Sequence, residues 1–404
     1  MDFKDFNFSE QLVEGLSSMG FKKPTPIQEQ AIPAIMDGKD MIACAQTGTG
    51  KTAAFLLPVM DDIIKSSGDS ISTLIIVPTR ELAVQIDQQL QGFSYFTPIS
   101  SLAVYGGGDG NTFNREKVAL TEGADIIIAT PGRIITHLNL GYVNFSNLRH
   151  LILDEADRML DMGFFDDLMK IVRQLPEKRQ TLLFSATMPP KIRQLAERIL
   201  HDPFRIDIAI SKPAEGLFHA AFSVYDTQKL DLVSHLISAK PLPSIIIFCS
   251  TKLNVKRINK SLKKLKFKSE EIHSDLEQEE REDVLRRFRN RELQILVATD
   301  ILSRGIDIEN ISLIINYDVP PDAEDYIHRI GRTARAETTG VAFTFINETE
   351  QYKFKRIENL IGHEIRKVKL PASIGEGPAY NPGNRKSGGK GGKKRYYKRK
   401  KRTK

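Results

Sequence analysis

Tryptophan is absent from this chain of 404 residues, and cysteine occurs only as Cys44 and Cys249. Two thiols exclude a disulfide framework and any four-cysteine zinc site; each closes an apolar run, where a buried, inert thiol is expected. Without Trp, any stacking on a base falls to Phe, Tyr, His or Arg. Long apolar stretches are also missing: runs such as 244–249 fall far short of the roughly 20 residues a membrane-spanning helix needs. The chain opens on Asp2, Lys4 and Asp5 with no apolar core or small-residue cleavage site. Nothing there marks it for secretion, and a cytoplasmic protein with no membrane partner is expected.

Acidic residues are missing from one region only. From Asn381 onward there are twelve Lys or Arg and no Asp or Glu, whereas the preceding 380 residues carry 46 basic against 51 acidic side chains. The formal charge of +7 is therefore an acidic body of net −5 followed by a basic tail. Residues 371–404 combine Gly, Pro, Ser and Lys/Arg with few apolar side chains, and disorder is expected there. The remaining length suits two or three domains with real cores.

Short apolar runs at 41–45, 74–77, 126–129, 150–153 and 182–184 alternate with stretches of helical periodicity. This is the rhythm of βαβ units and a buried parallel sheet. Each run ends in a polar or Gly/Pro cluster, and in open α/β sheets ligands bind beyond the carboxyl ends of the strands. After 208–216, which reads as a linker around Pro213 and Gly216, new runs appear at 245–248, 295–298, 313–315 and 341–346. Two α/β domains are predicted, residues 31–207 with an N-terminal segment 1–30 packed on them, and residues 217–370.

Ala45-Gln46-Thr47-Gly48-Thr49-Gly50-Lys51-Thr52 follows the first run and precedes a helix-compatible stretch. A glycine-rich turn between strand and helix presents backbone N–H groups that cradle phosphates, with Lys51 reaching the β and γ phosphates and the Thr52 hydroxyl suited to Mg²⁺. Asp154-Glu155-Ala156-Asp157 sits at another strand end. Adjacent carboxylates on an apolar strand are costly unless a cation offsets them, which assigns Asp154 to the metal and Glu155 to the attacking water. In the second domain, helical spacing over 326–335 would bring Arg329, Arg332 and Arg335 to one face; the like-charge row calls for an anion, such as a transferring phosphate.

These motifs, in this order, resemble the DEAD-box RNA helicases, over about 3–370. The resemblance extends to Phe21 to Gln28 with Phe3 upstream, similar to the family's adenine-reading Q motif. It also takes in Pro78-Thr79-Arg80, Gly106-Gly107, Thr130-Pro131-Gly132-Arg133, Ser185-Ala186-Thr187, Gln278 with Arg281, Arg304 to Asp307, and His328 to Arg335. The compact body with a short basic tail is similar to bacterial RhlE-type members.

The resemblance implies two tandem RecA-like domains and the use of ATP with Mg²⁺. Phe21 would stack on adenine, Gln28 would read its edge and Asp307 would meet the ribose. Ser185 and Thr187 would link hydrolysis to closure, His328 would couple the γ-phosphate region to the first domain, and Arg332 and Arg335 would act as fingers. Ala334 stands where the family usually has Gly.

The RNA-facing set would be Pro78, Thr79, Arg80, Gly107, Thr130, Pro131, Gly132 and Arg133 in the first domain. Thr251, Gln278, Arg281, Thr299 and Arg304 would complete it in the second. These groups suit phosphates and 2′-hydroxyls rather than bases. The implied enzyme is a monomeric, RNA-stimulated ATPase that locally unwinds RNA or remodels ribosomal or messenger RNA–protein complexes. Its tail would act as a salt-sensitive RNA tether, with Tyr396 and Tyr397 available to stack. An ATP-gated RNA clamp or annealing factor, and a DNA translocase, remain as alternatives. The basic stretch 252–268 alternates with apolar residues and reads as a solvated helix face.

Overall fold

The computed structural model describes residues 1–45, 48–66, 70–107, 110–208, 217–239, 242–299, 311–333 and 340–383, apart from the Gln278 side chain. Gln46, Thr47, Arg304, Asp307, Ala334, Arg335, linker residues 209–216 and tail residues 384–404 lie outside this description.

The strands of the first domain are β1 (Met41–Cys44), β2 (Thr73–Ile76), β3 (Ser101–Val104), β4 (Ile126–Ala129), β5 (His150–Leu153), β6 (Gln180–Ser185) and β7 (Phe204–Asp207). They form one parallel sheet in the order β3-β4-β2-β5-β6-β1-β7. Central strands such as β2, β4 and β5 are buried along their whole length, because helices cover both faces. The chain steps from β1 through β2 to the edge strand β3 and turns back there through β4, β5 and β6, with every strand pointing the same way. The phosphate loop after β1 and the acidic tetrad after β5 therefore reach the same sheet edge, with only β6 between their strands.

The N-terminal segment is part of this domain: Phe3, Phe6, Phe8, Leu12 and Leu16 are buried in the core cluster that also holds Phe93 and Phe184. Cys249 is buried as expected, but Cys44 is only partly so. Its Sγ donates to the Ala186 carbonyl at 3.4 Å, and burial together with Asp207 and Asp157 pushes the thiol up, which keeps it unreactive.

The second domain repeats the plan with β8 (Phe218–Ser223), β9 (Ile245–Phe248), β10 (Ser269–Ile272), β11 (Ile295–Ala298), β12 (Leu313–Asn316), β13 (Val341–Ile346) and β14 (Arg366–Lys367). Their order is β10-β11-β9-β12-β13-β8-β14, again parallel throughout.

The expected disorder from residue 371 does not hold for 371–383, which lie as a strap along this domain. Gln228 Nε2 donates to the carbonyls of Ile374 and Glu376, Gln351 Nε2 to that of Ala379, and Asn381 N to Gln351 Oε1. Tyr380 donates to Glu358 Oε2 at 3.1 Å and stacks edge-on against Phe354. Composition conceals most of this anchoring because, Tyr380 apart, it uses strap carbonyls and an N–H, groups that every residue has, reached by side chains of the domain.

Candidate nucleotide pocket and RNA cleft

The helix Lys51–Lys65 begins directly after the phosphate loop, with Gly48 and Gly50 at φ +83° and +91°. Gly50 has no room for a side chain: a Cβ would lie 2.5 Å from Gln28 Nε2. That closeness is functional, since Gln28 Nε2 donates to the Gly50 carbonyl at 3.1 Å while Gln28 Oε1 accepts from Thr25 N at 2.9 Å. The residue expected to read adenine is thus also tied to the phosphate loop. Phe21 is half-buried, its ring edge-on to Phe3 and Phe93 at 5.9 and 5.2 Å. Lys51 is buried, and its Nζ donates to the Ala45 carbonyl at 2.8 Å, which holds the ammonium across the mouth of the loop.

Asp154 and Glu155 are both buried at the end of β5. Burial pushes the Asp154 carboxyl up to about 6; Lys51 opposes the rise and Glu155 adds to it. Glu155 has φ +50°, an unfavourable left-handed conformation for a residue with a Cβ, and the turn is fixed by its own N–H donating to Asp154 Oδ1 at 2.9 Å. Its Oε2 faces the Arg158 guanidinium at 3.4 Å.

Among the described residues no group of three or more His, Cys, Asp or Glu is placed to hold a metal. Thr52 and Asp154 supply two hard oxygen donors, and Asp154 is poorly solvated without a cation. This fits a magnesium ion that takes its other ligands from phosphate and water rather than a protein cage.

Asp157 received no role from the sequence, yet it ties the tetrad to Ser185 and Thr187. Its Oδ2 accepts from Thr187 N and Thr187 Oγ1, both at 3.1 Å, while Ser185 Oγ accepts from Asp157 N at 3.3 Å and donates to the Thr187 carbonyl at 2.8 Å. The signal available was a third carboxylate too close to the first two to be a spare surface charge.

On the far side of the tetrad, a cleft of about 910 Å³ is lined by both domains. Pro78, Thr79, Arg80, Gly106, Thr130, Gly132 and Arg133 line it from the first domain, and Ser274 to Glu277, Arg281 and Asp325 from the second. Thr79 Oγ1 accepts from Leu82 N at 3.3 Å and Thr251 Oγ1 from Asn254 N at 3.2 Å, capping the helices Arg80–Phe93 and Lys252–Lys264. Each cap uses an oxygen lone pair and leaves the hydroxyl hydrogen for an anion at the helix N-terminus.

Gly107 sits at φ +96°, a left-handed conformation that strains any residue with a Cβ, and its bare backbone lies against Arg80, whose Nη1 is 2.0 Å from where a Cβ would be. The glycine pair is a seat for the arginine. Arg133 is held from behind by Glu116, Nε to Oε2 at 2.6 Å, and lies over the Phe113 ring. Glu116 is a second positioning residue that the sequence did not single out. Arg281 crosses the cleft, with Nη1 3.6 Å from Glu81 Oε1 and Nη2 donating to the Ser274 carbonyl at 3.1 Å. Thr299 Oγ1 has no hydrogen-bond partner among the described residues.

The expected arginine face does not form between Arg329 and Arg332, and Arg335 lies outside the described residues. The helix Ala323–Ile330 stops at its C-cap Gly331, so Arg332 lies beyond it, with its N–H on the Arg329 carbonyl at 3.3 Å and its own carbonyl accepting from Ile311 N. Arg329 is fully buried: Nη1 donates to Asn316 Oδ1 at 3.2 Å and to the Asp318 carbonyl at 3.1 Å, and the guanidinium lies over Phe248. Arg329 braces the sheet, leaving Arg332 as the finger candidate among the described residues; His328, also buried, precedes it on the helix.

A family model described as DEAD/DEAH box helicase matches residues 25–195, and one described as helicase conserved C-terminal domain matches 228–337. An ATP-dependent RNA helicase CshA of Listeria monocytogenes is 41% identical over 370 residues, covering 91% of this chain and 70% of its own. The chain belongs to the DEAD-box helicase family. An ATP-dependent RNA helicase DbpA of Bacillus subtilis is 38% identical over 371 residues, covering 92% of this chain and 77% of its own. These names do not extend the assignment to the RhlE-type subgroup.

Among solved DEAD-box structures, S. cerevisiae Dbp5 bound to RNA and ADP BeF3 aligns at a TM-score of 0.80 with 30% identity, covering 91% of this chain and 95% of that one. Mss116p bound to ssRNA and AMP-PNP aligns at 0.81 with 28% identity, covering 92% and 80%. The two-domain DEAD-box fold expected from the sequence is therefore the fold of this chain.

Proposed function

We propose that this chain is an ATP-dependent RNA helicase that binds RNA across its two domains, hydrolyses ATP and locally unwinds or remodels RNA. The observation that carries this reading is the cleft shared by both domains. It begins beside the tetrad that would handle the γ-phosphate, so one closing motion completes the ATP pocket and the RNA groove together.

In our mechanism Phe21 and Gln28 orient adenine, and Lys51 exchanges the Ala45 carbonyl for the β and γ phosphates. Asp307 would meet the ribose, completing the pocket with the backbone of Gln46 to Gly50. Thr52 and Asp154 would hold a magnesium ion, which supplies positive charge at the phosphates. Glu155 takes a proton from the attacking water, and closure brings Arg332 and Arg335 to the charge that develops. The Asp157–Thr187–Ser185 network then relays loss of the phosphate to the domain interface. Arg80, Arg133, Arg281 and Arg304 hold RNA phosphates, with Thr79, Thr130, Thr251 and Thr299 offering hydroxyls and N–H groups. Gln278, Pro131 and the glycines Gly107 and Gly132 shape the groove.

Steady-state ATPase measured with RNA, with DNA and with neither tests this. Stimulation by RNA alone is expected; stimulation by DNA but not RNA would overturn it in favour of a translocase, and ATP binding without turnover in favour of a clamp.

We place the protein in the cytoplasm as a monomer acting on ribosomal or messenger RNA–protein complexes, with the basic tail as an RNA tether. No helix among the described residues is long and apolar enough to cross a membrane. Truncation before Arg385 keeps the strap and removes all twelve tail charges. It is expected to raise the RNA concentration for half-maximal ATPase while leaving the maximal rate unchanged; a lower maximal rate at unaltered RNA dependence would refute the tether.

A further inference from the structure

In a body of net −5, residues 252–268 hold eight Lys or Arg and no acidic residue. The helix Lys252–Lys264 places Lys252, Lys256, Lys260 and Lys264 at successive i, i+4 positions, a single stripe along one side. The opposite side is anchored by buried Val255, Ile258 and Leu262, so the stripe cannot rotate inward. Lys256, Lys260 and Lys264, with Lys263, line a shallow groove of about 570 Å³ whose one carboxylate, Glu271, is engaged by Asn259 Nδ2 at 3.1 Å. Lys263 pairs with Glu270, but Lys260 and Lys264 have no acidic partner among the described residues. Like charges at this spacing repel, and such a row is stabilised by an anion laid along it.

The stripe is continuous with the cleft. It starts at Thr251, and Lys252 and Lys256 donate to the carboxylate of Asp275, a residue that itself lines the cleft, at 2.8 and 3.1 Å. From that rim the helix runs 13 residues, about 20 Å at 1.5 Å per residue, with one ammonium per turn.

We infer that this stripe is a second RNA-contact surface, an exit track that holds the backbone of the strand flanking the segment bound in the cleft. It rests on the RNA-helicase reading and adds to it a length dependence. Ammonium groups on flexible stems suit phosphates without selecting bases, so the track extends the footprint without adding sequence preference.

The test is the combined variant Lys256→Gln, Lys260→Gln, Lys264→Gln in the full chain, assayed by RNA-stimulated ATPase with two single-stranded RNAs. One is about 10 nucleotides, the scale of a single groove, and the other several times longer. With the long RNA, half-maximal stimulation should need roughly tenfold more RNA, and the slope of log affinity against log salt should become shallower by about 2, the value for three lost phosphate contacts. With the short RNA neither quantity should move, and the maximal rate should be unchanged with both. The corresponding triple Lys→Arg variant should behave as wild type.

Equal weakening with both RNAs would assign the lysines to the cleft or the fold, and no weakening with either would leave them a solvated or protein-binding face; both overturn the track. Wild-type ATPase stimulated by neither RNA would instead refute the helicase reading beneath it.

Discussion

Replacing Glu155 with Gln is expected to leave ATP binding intact while cutting RNA-stimulated turnover by about 10²–10⁴-fold, the range for losing a general base. The side chain is buried at the end of β5 on a left-handed backbone that its own N–H bond to Asp154 fixes, so an isosteric amide keeps the turn and its volume. What the amide cannot do is accept a proton from water. The Arg158 guanidinium beside Glu155 loses a charged partner but keeps an oxygen acceptor, so the local fold should survive. The variant should accumulate in an RNA-bound closed state, seen as slower RNA release in the presence of ATP. ATP titration and steady-state ATPase check both halves, and an unchanged rate would remove Glu155 from the chemistry.

Lys229→Met should produce a stability loss of about 3–5 kcal/mol, the cost of stranding buried charge. Lys229 is 1% exposed, with its Nζ 3.0 Å from Asp226, 3.1 Å from Asp318 and 3.6 Å from Glu350. Burial works to lower its pKa, and Asp318, Glu350 and Asp226 outweigh burial and hold it raised. Asp226 is largely in solvent and tolerates the loss, but Asp318 and Glu350 are not.

Burial already raises the Glu350 carboxyl, with Lys229 countering. Without the ammonium the rise is larger. A carboxyl raised by folding favours the folded state when protonated, so its penalty grows as pH climbs through and above the normal carboxylate range and shrinks below it. Urea unfolding at about pH 8 and about pH 5 should therefore show the larger deficit at the higher pH. A deficit below about 1 kcal/mol, the scale of an exposed pair, or one that grows toward acid, would contradict this account.

Because Asp318 Oδ2 also accepts from Ser250 N at 2.8 Å, beside Thr251, the variant that still folds should need more RNA for half-maximal ATPase.

What could be read in advance followed burial. Strands covered on both faces, such as the IIIA of β4 and the HLIL of β5, stand out as apolar runs. The edge strands β3, β7, β10 and β14 carry polar positions that are exposed or only partly buried and show no such run, and β8, with His219 and two alanines, is too weakly apolar to stand out.

The phosphate loop and tetrad were legible because their chemistry is local. The partners that aim them are not: Thr187 lies 30 residues from Asp157, Glu116 lies 17 from Arg133, and Asp318 lies 89 from Lys229. The arginine face failed between Arg329 and Arg332 for a local reason of another kind. Helical spacing was carried through Gly331, where the helix ends, and charge alone did not reveal that Arg329 is the brace for Asn316 and the Asp318 carbonyl.

The strap also sets a working radius. Its anchors, Gln228, Gln351 and Glu358, all belong to helices of the second domain or its face, so the polypeptide leaves the body from that domain alone. Residues 384–404 can span at most about 70 Å when fully extended. If the tail tethers RNA as proposed, the RNA it holds is confined to a sphere of that size, centred on the second domain.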